Sequence, residues 1–171
     1  MLKLKFEKYH GLGNDFVIFD EKELKDNNIE DYSKLASSVC DRHFGIGGDG
    51  IIILRYVDNK PFMLYYNSDG SQAPMCGNGI RCFAYYLKNN NLVTEDTFVV
   101  KTVPGDLTIE TQQTKDQFLV RVNMGKPIFD TQDYINSNKE RFIEEFVDID
   151  GETRILSYLF TGTDHVVTFV Q

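Results

Sequence analysis

Cys76 stands between a polar turn, Asn67-Ser68-Asp69-Gly70-Ser71, and the start of a helix-patterned segment, Gly77-Asn78-Gly79-Ile80-Arg81. A thiol at that junction meets backbone N–H groups that lack an intrahelical acceptor, together with the positive end of the helix dipole. Both favour the thiolate. Glycines at 77 and 79 let the backbone come close to a bound anion. A reactive sulfur beside carboxylate-sized amides suits chemistry next to a carboxylate. The plainer reading is a buried cysteine ahead of a capped helix. Asn14, in the loop Gly11-Leu12-Gly13-Asn14-Asp15, and Asn67 add side-chain amides that donate to a carboxylate and accept from an ammonium. A zwitterionic amino acid needs both, although asparagine is also an ordinary turn former.

The elements that must position these residues are mostly strands. Residues 2–9 and 16–20 read as strands around the Asn14 loop. Residues 31–42 place Tyr32, Leu35, Ala36, Val39 and Cys40 on one helical face, with Asp31 as N-cap. Residues 51–57 and 62–66 form a hairpin through Asp58-Asn59-Lys60-Pro61, and a second helix runs from about 77 to 89. Strands follow at 97–103, 106–112 and 117–123. Beyond Met124-Gly125-Lys126-Pro127 the texture changes: a polar stretch at 130–146 with a short helix, then strands at 145–149, 153–160 and 165–170. This places a boundary near 123–127. Gly45-Ile46-Gly47-Gly48-Asp49-Gly50 matches a dinucleotide fingerprint by letters only, because a helix precedes it and a strand follows, the reverse of the required order.

The 171 residues carry 18 Lys and Arg against 26 Asp and Glu, a formal charge of −8 without a basic cluster, which argues against nucleic acid or an anionic membrane as partner. No segment reads as a signal peptide or membrane span, and three cysteines without CxxC spacing fit a reducing cytoplasm. His10, His43 and His165 lie far apart and show no metal-ligand spacing. Cys40 and Cys82, inside the two helical patterns, read as structural.

Three ordered segments, Lys8-Tyr9-His10-Gly11-Leu12-Gly13-Asn14-Asp15-Phe16, Cys40 to Gly50, and Asn67 to Ala84 with its Met75-Cys76-Gly77-Asn78-Gly79 centre, closely resemble the N-terminal signatures of diaminopimelate epimerase. Val122-Asn123-Met124-Gly125-Lys126-Pro127 resembles that family's entry into a second domain. The resemblance implies an α+β fold, a mixed sheet rolled around a central helix in each of two lobes, with the active site between them. It implies a cofactor-independent epimerase without metal, interconverting LL- and meso-diaminopimelate for lysine and cell-wall synthesis. One cysteine thiolate removes the α-proton, and a second thiol returns a proton to the opposite face. Carried over by position, Cys76 is the proton-transfer residue, the Gly77 and Asn78 amides bind the α-carboxylate, and Asn14 and Asn67 contact substrate.

The resemblance covers only the first part of a family member. The expected organisation is therefore an N-terminal lobe over 1–123 and an incomplete start of a second lobe over 124–171, in a truncated chain lacking the second cysteine. A homodimer or a separate C-terminal half are the partners this leaves open. Thr163-Asp164-His165 departs from the family's Asn-Pro-His step, so Thr163 stands where a substrate-binding Asn is expected. Two alternatives stand beside the epimerase: a racemase of another amino acid such as histidine on the same fold, and a non-catalytic binding or assembly module retaining half a cleft.

Overall fold

The computed structural model describes residues 3–130 and 140–170. Its first strands, β1 (Glu7–Gly11) and β2 (Asn14–Asp20), form an antiparallel hairpin. Leu12 and Gly13, both at positive φ (57° and 86°), close it in two residues, the turn geometry that matches strand twist. The expected five-residue loop is therefore a tight turn; β1 runs on to Gly11, and residues 3–6 lie outside it. Asp20 caps the short helix α1 (Glu21–Asp26) by accepting the Lys22 N–H at 2.8 Å. That helix is too short to show an amphipathic period, and the sequence reading does not contain it. Helix α2 (Tyr32–Cys40) follows with Asp31 at its N-cap as expected, accepting from Lys34 N at 3.0 Å.

β3 (Gly50–Val57) and β4 (Lys60–Asn67) make the next hairpin, again through a two-residue turn, with Asp58 and Asn59 at positive φ. The two-residue strand β5 (Gln72–Ala73) pairs with the end of β4 and leads into α3 (Gly77–Asn89). β6 (Thr97–Thr102), β7 (Gly105–Gln113) and β8 (Phe118–Val122) complete the sheet, ordered β1-β2-β3-β4-β6-β7-β8. β2/β3 and β4/β6 are parallel and the other pairs antiparallel, so the sheet is mixed.

The unbroken run Ile51-Ile52-Ile53-Leu54 has a simple cause: β3 is covered on both faces. Ile52 and Leu54 join Phe16, Ile18, Ile80, Phe83 and Leu87 in one core layer. Ile51 and Ile53 join Val17, Phe19, Leu24, Tyr32 and Ala36 in the other. α3 lies inside the curl of the sheet, packed against β1, β2 and β8, and buries Gly79, Ile80, Cys82, Phe83, Ala84, Tyr86 and Leu87. This is the α+β arrangement, a mixed sheet rolled around a helix, that the sequence leads one to expect.

Gly50 is fixed by crowding. A Cβ there would stand 2.5 Å from the Tyr66 carbonyl oxygen and 2.6 Å from Tyr65 Cε2. Gly50→Ala is expected to lower stability by about 1–3 kcal/mol, the usual range for overpacking. Urea denaturation checks this, and an unchanged midpoint would contradict it.

The chain divides into two compact units, Met1–Asn123 and Met124–Gln171. The second contains the antiparallel strands β9 (Glu145–Ile149), β10 (Glu152–Phe160) and β11 (Asp164–Val167). Tyr158, 1% exposed, donates its hydroxyl to Asp164 Oδ1 at 2.5 Å. The last strand stops at Val167 instead of running to 170. Most of the segment expected to carry a short helix, residues 131–139, lies outside the described residues.

Candidate functional site

The site is built at the N-terminus of α3. Cys76 is its N-cap, in extended backbone (φ −139°, ψ 124°), half-buried, and its sulfur accepts the Gly79 N–H at 3.4 Å. The N–H groups of Gly77 and Asn78 belong to the first turn, where no carbonyl of the same helix can reach them. A Cβ built on Gly77 meets nothing within 4 Å, so the approach to that turn is open. At Gly79 a Cβ would lie 3.3 Å from Cys76 Cβ and 3.2 Å from Ile52 Cδ1, so glycine there leaves the sulfur its room.

Asn14 reaches this turn from the β1–β2 hairpin. Its Oδ1 faces the Cys76 thiol at 3.7 Å and accepts from Asn78 Nδ2 at 3.1 Å, while its Nδ2 donates to Asp49 Oδ2 at 2.7 Å. The fold dictates the meeting: β2 and β3 are parallel neighbours, so Asn14 at the start of one lies beside Asp49, just ahead of the other. Arg81, one turn into α3, donates to Asn78 Oδ1 and, at 2.9 Å, to the Gly77 carbonyl.

The glycine-rich loop holds Asp49 in place. The N–H groups of Gly45, Ile46, Gly47 and Gly48 donate to the Asp41, Val39 and Cys40 carbonyls at 2.8–3.1 Å, tying off the end of α2. These amides are occupied within the chain, as a helix-to-strand connection requires and a phosphate cradle would not. Around Asp49, Lys8 and Arg42 bind Asp15 at 3.1 and 2.7 Å, and Arg42 also binds Asp49 at 2.9 Å. The Arg42 guanidinium, with Lys8, holds the Asp15 carboxyl well below the usual carboxylate range, against the opposing effect of burial.

Asn67 sits at the end of β4, paired in register with Gly50. Its Oδ1 accepts from the Tyr65 hydroxyl at 2.7 Å and its Nδ2 donates to Ser71 Oγ at 2.9 Å. Its own bonds therefore go to Tyr65 and Ser71. Tyr65 belongs to the core cluster against which Cys76 packs, and burial pushes its phenol up to about 12, so it remains a donor. Among the described residues neither His10 nor His43 hydrogen-bonds the Cys76 sulfur. Neither Asp49 nor Arg81 is among the site residues expected from the sequence. Asp49 is hidden inside a glycine run, but the Asn78/Arg81 spacing of three is a legible signal for a helix-surface pair.

Cys40 and Cys82 differ in kind from Cys76. Both are buried, and burial pushes each thiol up to about 11, helped for Cys40 by Asp15. In the native protein at pH 8, iodoacetamide is expected to modify Cys76 first, with Cys40 and Cys82 reacting only on unfolding. Peptide mass spectrometry over time reads the order, and equal rates would remove the distinction.

The sequence profile of the diaminopimelate epimerase family matches residues 6–129, which contain this entire cluster. The chain belongs to the diaminopimelate epimerase family. It is 42% identical over 176 residues to the diaminopimelate epimerase of Caldanaerobacter subterraneus subsp. tengcongensis, covering 98% of this chain and 61% of that protein. It is 40% identical over 174 residues to the one from Alkaliphilus metalliredigens, covering 99% of this chain and 60% of that protein. The chain thus spans about 60% of the length of these curated relatives.

Among solved structures, a Bacillus anthracis phenazine biosynthesis protein of the PhzF family superposes with a TM-score of 0.63 at 18% identity, over 95% of this chain and 53% of that one. A probable proline racemase from Agrobacterium radiobacter K84 gives 0.63 at 12% identity, over 95% and 51%. These likenesses place the diaminopimelate epimerase fold of this chain beside those of the two proteins. No helix among the described residues is long and apolar enough to cross a membrane.

Proposed function

We propose that the chain supplies one of the two proton-transfer groups of a cofactor-independent diaminopimelate epimerase, with Cys76 as that group. The observation that carries the reading is the N-cap position of its sulfur, with the open first turn of α3 beside it. An amino-acid α-proton is weakly acidic, so the carbanion-like transition state needs strong electrostatic stabilisation. Pre-oriented N–H groups at the end of a helix supply it when they bind the α-carboxylate. In the proposed arrangement the Gly77 and Asn78 backbone amides take the carboxylate, and deprotonated Cys76 removes the α-proton as general base. The electron pair of the broken C–H bond stays on the α-carbon, delocalised into the carboxylate. A proton delivered to the opposite face completes the inversion.

The acid on that face is neither Cys40 nor Cys82, which are buried in the core and high in pKa. We therefore place it outside these 171 residues, and read 1–123 as the lobe carrying the first cysteine and 124–171 as the start of a second. Asn14 and Asn67 are proposed as substrate contacts, Asn14 at the sulfur and Asn67 through the Tyr65 side of the site.

The test is deuterium incorporation at the α-carbon of LL-diaminopimelate in heavy water, followed by proton NMR, with histidine as the comparison substrate. Exchange of the diaminopimelate proton supports the proposal. Exchange of histidine alone would move the assignment to a racemase of another amino acid. Calorimetric binding of diaminopimelate without exchange would favour the non-catalytic module.

A further inference from the structure

Four side chains around Cys76 form a hydrogen-bond chain in which every donor points the same way. The Arg81 guanidinium donates to Asn78 Oδ1, Asn78 Nδ2 donates to Asn14 Oδ1 at 3.1 Å, and Asn14 Nδ2 donates to Asp49 Oδ2 at 2.7 Å. The two ends decide the direction. A guanidinium only donates and a carboxylate only accepts, so neither amide between them can turn over without losing a bond. Asp49 is itself held by Arg42 at 2.9 Å, which fixes the accepting end. We propose that Asp49 and Arg81 are positioning residues that lock the Asn14 amide with its oxygen, not its nitrogen, toward the Cys76 sulfur.

The consequence concerns the proton on that sulfur. The Asn14 oxygen, 3.7 Å from Sγ, can accept from the thiol but gives nothing to the thiolate, whereas the Gly79 N–H, 3.4 Å from Sγ, favours the thiolate. The sulfur is thus held between one group that retains its proton and one that releases it. A residue that must both take and return a proton needs such a balance. With the amide reversed, two N–H groups would face the sulfur and none would be an acceptor for its proton. This deepens the reading of Cys76 as a proton-transfer group and rests on it.

Asp49→Asn is the informative substitution. The new amide offers one oxygen to three donors that Asp49 now satisfies with two, Arg42, the Asp15 N–H at 3.1 Å and Asn14 Nδ2, so the Asn14 amide is no longer held fast at that end. Iodoacetamide alkylation of Cys76 at pH 7.5 is then expected to accelerate about threefold to tenfold, the net worth of one hydrogen bond. Asp15→Asn removes a carboxylate from the same ion cluster without touching the Asn14 amide, and is expected to stay within about twofold of wild type. Asn14→Ala leaves the Asp15–Arg42–Asp49 ion pairs in place and removes the oxygen facing Sγ, so it too should accelerate alkylation.

An unchanged or slower rate in Asp49→Asn overturns the proposal, and an equal acceleration in Asp15→Asn overturns it in favour of simple charge. If circular dichroism shows that Asp49→Asn does not fold, Asn14→Ala decides, and an unchanged rate there is fatal to the idea. Deuterium exchange into LL-diaminopimelate is measured on the same samples. Alkylation rates that move as expected without exchange in wild type would sink the epimerase reading and leave the positioning intact. Exchange in wild type with no change in alkylation rates would do the reverse.

Discussion

Cys76→Ser should abolish α-deuterium incorporation while leaving the protein at least as stable as wild type. A hydroxyl is a far weaker acid than a thiol, so the base is lost, and removal of a general base lowers rates by about 10²–10⁴-fold. The stability side comes from the same position. Cys76 is the N-cap of α3, where serine is among the preferred residues and its oxygen accepts from the first turn. The variant should therefore match or exceed the wild-type melting temperature, by up to about 1 kcal/mol of capping. Exchange measured by NMR and melting followed by circular dichroism give the two readouts together. Activity retained in Cys76→Ser would refute the site, and a large loss of stability would refute the capping geometry.

The largest structural effect should come from Glu21. The residue is 7% exposed and gathers Arg55, Lys25 at 3.0 Å and the Tyr32 hydroxyl at 3.1 Å around one carboxylate. Glu21→Ala leaves the Arg55 and Tyr32 donors facing one another over a gap. Breaking a buried pair costs about 3–5 kcal/mol. Arg55 and Lys25 are 38% and 59% exposed and regain water, so about 2–3 kcal/mol is expected.

The effect has a pH signature. Burial acts to raise the Glu21 pKa, but Arg55, Lys25 and Tyr32 outweigh it and hold the group below its ordinary value. A depressed folded pKa gives stability that is fully present above the unfolded value, about 4.3, and is lost as pH falls through the folded one. The stability gap between wild type and Glu21→Gln should therefore be constant at neutral pH and close below about pH 4. Urea midpoints at pH 7, 5 and 3.5 measure it, and a gap that widened in acid would be contrary to this account.

Much of this was legible beforehand where the signal is local. The α3 boundaries, the Asp31 cap and the strands of the Ile51 hairpin follow from apolar spacing and turn residues. Cys76 is recognisable because a cysteine before Gly-Asn-Gly needs no tertiary information. What escaped is what depends on partners. The short helix after Asp20 exists because Leu24 is buried against the sheet, a fact absent from its six residues. Asp49 becomes meaningful only once the parallel pairing of β2 and β3 sets it against Asn14.

That parallel pairing also carries a consequence for time. Hairpins join neighbours in sequence and close quickly, whereas a parallel pair must wait for the intervening chain, here α1 and α2, to pack as a crossover. The surroundings of Cys76 come from residues 14, 49 and 76–81, so they mature only when this slow contact has formed. Native thiol reactivity should thus be among the last properties recovered on refolding, after helix content has returned. The sulfur then reports when that crossover has packed.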